Sequence, residues 1–373
     1  MNDPNRVLKW LALKHVNGIG NLLFKRLIDT FGSPENVFNA PESQLYRVDG
    51  ITKELGRRIY HHKISEGIYK DLELAEKYNI SLLTMADDNY PKLLLQIPDP
   101  PPVLYVYGTL NPNSHHIAIV GSRNASQYGL KCAYRLSTGL VNQGFVIVSG
   151  MARGIDTASH QGAIEGKGQT IAVAGCGLGI VYPPENKMLF KQIALNGAVI
   201  SEFPIQAKPE AYHFPIRNRI ISGMSWGTII VEAGKKSGSL ITARLALEQN
   251  RQVFAVPGDI NSFRSMGTNN LIKQGAKLIE TIEDILEDLA PIFQFTPEND
   301  KESCHVKPEK REELLPEEQA VMQLVSDTPM HIDDIMRTGT IALKDLSAIL
   351  LSLELKGYID QHPGKLFSKR EVF

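Results

Sequence analysis

The sequence has no apolar run approaching the ~18–20 residues that a membrane span needs. Its opening, Met1-Asn2-Asp3-Pro4-Asn5-Arg6, places no apolar core after a basic start, so no secretory leader is predicted. Cysteine is scarce. Cys132, Cys176 and Cys304 lie far apart without metal-ligand spacing, which excludes a disulfide framework and a zinc site and predicts reduced thiols in a cytoplasmic protein. Three catalytic signatures are also missing. Without a Walker A lysine loop, triphosphate hydrolysis is not suggested, and without Gly-x-Gly-x-x-Gly the case for NAD fails. Ser149, Asp156 and His160 form a triad only on paper, because none sits in a nucleophile elbow.

Net charge is nearly absent too, at −1, which taken alone argues against nucleic acid. Its distribution reverses that. From Ile117 to Ile285 the chain has 17 Lys and Arg against 11 Asp and Glu; from Leu286 to Glu318 it has 4 against 10. A basic middle and an acidic connector cancel in the total, and the basic part is the footprint expected of an anion-binding face.

A length of 373 residues, 43% of them hydrophobic, leaves room for two or three domains. Residues 1–85 read as helical, with two glycine turns, Val16-Asn17-Gly18-Ile19-Gly20 and Val48-Asp49-Gly50-Ile51-Thr52, in the style of a helix-hairpin-helix. Such turns offer backbone N–H groups to a phosphate or simply connect helices. Residues 86–290 begin with an extended proline-rich crossing, Pro91 to Pro102. Short β-branched runs then alternate with amphipathic helices: Ile117–Val120, Phe145–Val148, Thr170–Ala174, Ala198–Ile200, Gly227–Val231 and Gln252–Val256. This pattern predicts an α/β fold whose Rossmann-like parallel sheet is covered on both faces. Residues 291–318 read as an acidic linker and 319–373 as a small winged helix. That module has only Lys344 and Lys356 for a recognition helix, so protein contact suits it as well as DNA.

In such a sheet, ligands bind at the carboxyl ends of the strands. There the sequence puts Gly121-Ser122-Arg123, then Ser149-Gly150-Met151-Ala152-Arg153-Gly154-Ile155-Asp156, then Gly175-Cys176-Gly177-Leu178-Gly179, then Glu232-Ala233-Gly234-Lys235-Lys236-Ser237-Gly238-Ser239. Glycines let backbone approach a ligand, and successive N–H groups form anion nests. Arg217 and Arg219 follow Pro215 in the first turn of a helix, where a cation is disfavoured unless an anion arrives from outside or nearby carboxylates pair with it. Repeated cationic loops along one edge suit a chain of phosphates, and single-stranded nucleic acid also needs stacking platforms, for which Phe214, Tyr212 and Tyr182 are at hand.

In their order and spacing, Gly121-Ser122-Arg123, the Ser149 to Asp156 segment, Tyr182-Pro183, Ser201-Glu202-Phe203-Pro204, Phe214-Pro215-Ile216-Arg217-Asn218-Arg219, Val231-Glu232-Ala233, Ser237-Gly238-Ser239-Leu240 with Thr242-Ala243, and Val256-Pro257-Gly258 closely resemble the DNA-processing protein A (DprA, or Smf) family over about Pro91 to Leu289. The resemblance implies an extended Rossmann domain, an N-terminal sterile-alpha-motif-like helical domain and a C-terminal winged helix. It implies a non-catalytic recombination mediator of natural transformation that binds single-stranded DNA, dimerises and loads RecA, with single-strand-binding protein as a further partner and no cofactor. The implied DNA-binding residues are Gly121, Ser122, Arg123, Arg153, Gly154, Phe214, Arg217, Asn218, Arg219, Lys235, Lys236, Ser237 and Gly238. Departures are mild: Ser159 replaces the usual alanine before His160, and Lys236 stands where arginine is common.

Two other readings compete. Gly227-Thr228 leading to Glu232 loosely resembles nucleotide phosphoribohydrolases, with Glu232 as catalytic acid, although Met224-Ser225-Trp226 stands where that group has glycines. A partner-binding scaffold is the other. Helix geometry divides the arginine pair. Residues two apart point to nearly opposite sides, so one of Arg217 and Arg219 is expected on the DNA track and the other paired with Glu202 or Glu232, or bracing a loop.

Overall fold

The computed structural model describes residues 4–293, 314–326, 330–338, 343–356, 358–362 and 364–369. Two compact units emerge, Met1–Phe295 and Thr296–Phe373.

The first unit opens with six helices: Pro4–Lys14, Asn21–Phe31, Pro34–Asn39, Glu42–Leu45, Lys53–Tyr60 and Glu66–Lys77. Both glycine turns lie between helices. Gly18 and Gly50 hold φ of +101° and +88°, a region open to glycine without steric cost. Thr52 caps Lys53–Tyr60 by accepting the Leu55 N–H at 3.2 Å. The apolar faces do not form a separate core. Trp10, Leu11, Phe24 and Ile59 are buried in one cluster with Tyr105, Phe190, Val199 and Ile205 of the sheet layer.

Nine strands follow: β1 (Ser81–Thr84), β2 (Val103–Gly108), β3 (His115–Gly121), β4 (Phe145–Ser149), β5 (Thr170–Val173), β6 (Gly197–Ser201), β7 (Gly227–Val231), β8 (Gln252–Ala255) and β9 (Lys277–Leu278). Their order is β1-β2-β6-β5-β4-β3-β7-β8-β9. Neighbours from β6 through β9 run parallel, while β2 is antiparallel to both β1 and β6. The six runs expected from the sequence are β3 to β8. Every residue of β4 to β7 is buried, since apolar clusters cover both faces; that is why these strands read as unbroken apolar runs. The antiparallel edge was not anticipated, nor was the one-turn helix Lys92–Leu95 that interrupts the proline-rich crossing. β1 begins at Ser81, inside the segment expected to be helical, and its four residues are too few to display a period. β3 and β7 lie side by side, and the chain winds outward from them in opposite directions. Their carboxyl ends mark the topological switch point, where such sheets open a ligand crevice.

In the second unit, helices Pro316–Leu324, Ile332–Thr338 and Leu343–Leu355 accompany strands β10 (Met330–His331), β11 (Ile359–His362) and β12 (Leu366–Lys369). The small sheet runs β10-β12-β11, both pairings antiparallel, which is the wing expected from the sequence. Val321, Ile335, Leu346, Leu350, Leu353 and Phe367 form its core. Glu318 is buried and accepts from Ser352 Oγ at 2.7 Å and Lys356 Nζ at 2.8 Å. One of the two lysines offered for a recognition helix is therefore spent inside the module. Most of the acidic connector, residues 294–313 with Cys304, lies outside the described residues. Among the described residues, no helix is long and apolar enough to cross a membrane.

Candidate nucleic-acid interface

A cleft opens at the carboxyl ends of β3, β4 and β5, lined by Arg123, Gly150, Arg153, Tyr182, Phe214 and Arg217 with neighbouring backbone. Its glycines are steric requirements. A Cβ on Gly150 would stand 2.7 Å from both Arg217 Nη2 and Asp156 Oδ2. Gly154 has φ +75° and runs against the Ser122 and Arg123 carbonyls, leaving no room for a side chain. Ile155 N–H donates to the Ser122 carbonyl at 3.2 Å, closing the loop after β3 onto the loop after β4. Gly121 lets β3 pass the Val231 carbonyl of β7 at the switch point.

The arginines differ in how free they are. Arg217 is buried on the helix His213–Gly223. Its Nη1 donates to the Gly150 carbonyl at 2.8 Å and to the Val173 carbonyl, and Nε donates to Asn218 Oδ1 at 3.2 Å. Nη2 remains beside Gly150, on the cleft wall. Burial pulls its pKa down to about 10, so it stays charged at neutral pH. Asp156, in the first turn of Ile155–Glu165, is pushed up by burial, opposed by Arg217 and by the N–H of Ala152, which it accepts at 3.2 Å. Arg153 is exposed and ion-paired with Glu185. Arg123 is exposed and forms no ion pair among the described residues. Its guanidinium stands 5.5 Å from the Phe214 ring centroid, with Arg217 at 5.8 Å from the same ring. Phe214 thus has two cations within cation–π reach, and Tyr182 packs against it at 5.5 Å.

Arg219 does not reach this cleft, which corrects its place among the expected DNA contacts. It is buried in ion pairs with Glu202 and, at 3.3 Å, Asp99. Asn21 Nδ2 donates to the same Glu202 carboxylate at 3.2 Å, and Lys14 Nζ donates to the Glu202 carbonyl. Two residues along a helix turned Arg217 toward the strand ends and Arg219 toward the amino-terminal helices.

Lys235, Lys236, Ser237 and Gly238 occupy the neighbouring loop after β7. Both lysines are exposed, and neither forms an ion pair among the described residues. Ser237 Oγ caps the helix Gly238–Glu248, and Asn218 Nδ2 approaches the Gly238 carbonyl at 3.5 Å. Ser122 Oγ accepts the Asn124 N–H at 3.2 Å, a turn-forming contact. Tyr182, one of the stacking platforms offered by the sequence, lines the cleft. The Glu185 partner of Arg153 has no signal in the sequence and needed the fold.

Glu232 is occupied. Its carboxylate accepts the Ser126 N–H at 2.8 Å and the Ser126 hydroxyl at the head of the helix Gln127–Asn142, where the helix dipole favours an acid. That holds the loop carrying Arg123 and commits both carboxylate oxygens to the helix start. The paper triad also dissolves. Ser149 Oγ donates to the Ile119 carbonyl at 2.6 Å, and His160 Nδ1 lies 2.7 Å from Thr170 Oγ1.

His160 and His116 are buried, and burial depresses them from 6.5 to about 3 and about 4. The unfolded chain therefore takes up protons that the folded chain refuses, so stability present above pH 6.5 is lost as pH falls below it. The urea midpoint is expected to be lower at pH 5 than at pH 7, with a smaller difference in His160→Gln. An unchanged difference in that variant would contradict the assignment.

A Rossmann-like sheet with a cation-lined cleft at its switch edge is the architecture of a class of anion-binding proteins, here with helices before it and a winged helix after. Residues 81–290 match the sequence model of DNA recombination-mediator protein A, and 305–365 match the DprA winged helix domain. The chain is 36% identical to protein Smf of Synechocystis over 97% of its own length and 98% of that protein's. It is 46% identical to DNA processing protein DprA of Bacillus subtilis over 56% of this chain and 71% of that one. The crystal structure of DprA from Streptococcus pneumoniae superimposes with TM-score 0.65 at 35% identity, covering 77% of this chain and 99% of that one. A Helicobacter pylori DprA structure, described for its single-stranded DNA binding mode, matches with TM-score 0.52 at 32% identity over 58% and 97%. The chain belongs to the DNA recombination-mediator protein A (DprA/Smf) family.

Proposed function

We propose that the strand-end cleft binds single-stranded DNA and that the protein, as a homodimer in the cytoplasm, protects incoming strands and hands them to a RecA-type recombinase without chemical turnover, in competition with single-strand-binding protein. The observation that carries this reading is Arg123, an exposed and unpaired guanidinium set over Phe214 beside Arg217. A cation free to meet a phosphate beside a half-exposed aromatic ring is the combination that sequence-tolerant single-strand binding uses. The Helicobacter pylori relative supports it, since that DprA binds single-stranded DNA.

The test joins binding to loading. Arg123→Ala is expected to weaken oligonucleotide binding by about 1.5–3 kcal/mol, the worth of a charge-assisted contact, and to fold normally. RecA filaments on single strands coated with their binding protein should form faster with the parent chain than without it, and Arg123→Ala should lose that acceleration. Acceleration equal in parent and variant would separate loading from this cleft.

A further inference from the structure

On the other side of the switch point the strand-end edge carries an aromatic that the cleft does not use. Phe263 is 69% exposed, in the short turn Phe263–Ser265 that follows β8. Two hydrogen bonds fix its segment. Arg264 Nε donates to the Asn124 carbonyl at 2.9 Å, reaching the loop after β3, and Gly267 N–H donates to the Ala233 carbonyl at 2.6 Å, reaching the end of β7. Phe263 is thereby held between the two loops that part at the switch point. Its ring lies close to Gly234, where a Cβ would stand only 2.9 Å from Phe263 Cε1. The next residues along that loop are Lys235 and Lys236, both exposed.

We propose that Phe263 is a second base-stacking platform, over which a single strand leaving the Phe214 cleft crosses the switch point to meet Lys235 and Lys236. The proposal rests on the reading of the cleft above. Three things on this edge favour a base over an apolar protein partner: the adjoining lysine pair is positive, Arg264 is used to anchor the turn, and the ring continues the same row of strand ends as Arg123. An aromatic already fixed by its neighbours loses little freedom when a base stacks on it, and stacking tolerates any sequence because every base has a π-face.

The experiment titrates labelled oligo-dT with the parent chain, Phe263→Ala and Phe263→Trp across a salt series, with light scattering on each protein. Phe263→Ala is expected to bind roughly 5- to 100-fold more weakly, the range for losing one stacked base. Its salt slope should be unchanged, because no phosphate contact is removed. Phe263→Trp should keep the parent's affinity and show fluorescence quenching on binding beyond that of the native tryptophans. Parent affinity in Phe263→Ala, an equal loss in both variants, or a change of oligomeric state in Phe263→Ala each overturns the platform while leaving the cleft intact. If the parent itself fails to bind oligo-dT, the cleft reading falls and the platform with it.

Discussion

Arg219→Ala is expected to lower unfolding free energy by about 3 kcal/mol, the low end for breaking a buried ion pair, with no loss of affinity for single strands below its melting temperature. The arginine is buried between Glu202 and Asp99, so its removal strands a buried carboxylate. Glu202 already has a buried side-chain oxygen without a hydrogen-bond partner, and Asn21 and Lys14 replace only part of what is lost. Lys14 supplies an internal check. Burial lowers its pKa, Glu202 opposes that fall and Arg219 adds to it, so the neighbouring lysine charge is eased in the variant and limits the damage. Urea unfolding reads the change. A variant as stable as the parent would show that the pair contributes nothing to joining the amino-terminal helices to the sheet.

Arg217→Ala should fail in both respects. Its loss leaves the Gly150 and Val173 carbonyls without their donor and Asp156 buried without its principal cation. Unpaired buried acceptors cost about 1–3 kcal/mol each, so unfolding free energy should drop by about 3 kcal/mol or more. Asp156, already raised by burial, rises further and takes up a proton closer to neutrality. The cleft also loses one of the two cations beside Phe214, and single-strand affinity should fall by roughly tenfold or more, as for one charge-assisted contact. Arg217→Lys should recover little, because one ammonium does not reproduce a planar fork that spans two carbonyls. Full recovery by lysine would reduce Arg217 to a point charge.

These two predictions diverge for residues two positions apart, and that divergence is legible in the sequence. The spacing alone required opposite directions, and Glu202 was one of the partners foreseen. β3 to β8 were legible for a related reason, since strands buried on both faces leave long β-branched runs. What escaped the sequence depends on contacts between distant residues. The cap that Glu232 provides for Ser126 spans 106 positions, and the pairing of Arg153 with Glu185 spans 32; neither leaves a local pattern. β1 and β2 were missed because a four-residue strand and a run beside five prolines carry too little periodicity to compete with the helices before them. The amino-terminal helices read as an independent module because amphipathic faces do not name what they cover; here Trp10 and Phe24 share a core with Tyr105 and Val199.

The central claim is that the free guanidinium at the end of β3, and not its buried counterpart at 219, meets the nucleic acid. A side-by-side anisotropy titration of labelled oligo-dT with the parent, Arg123→Ala and Arg219→Ala tests it most directly. The account predicts a loss of roughly 10- to 100-fold for Arg123→Ala, matching a charge-assisted contact, with Arg219→Ala binding like the parent. Parent-like binding by Arg123→Ala, or a greater loss in Arg219→Ala, would contradict it.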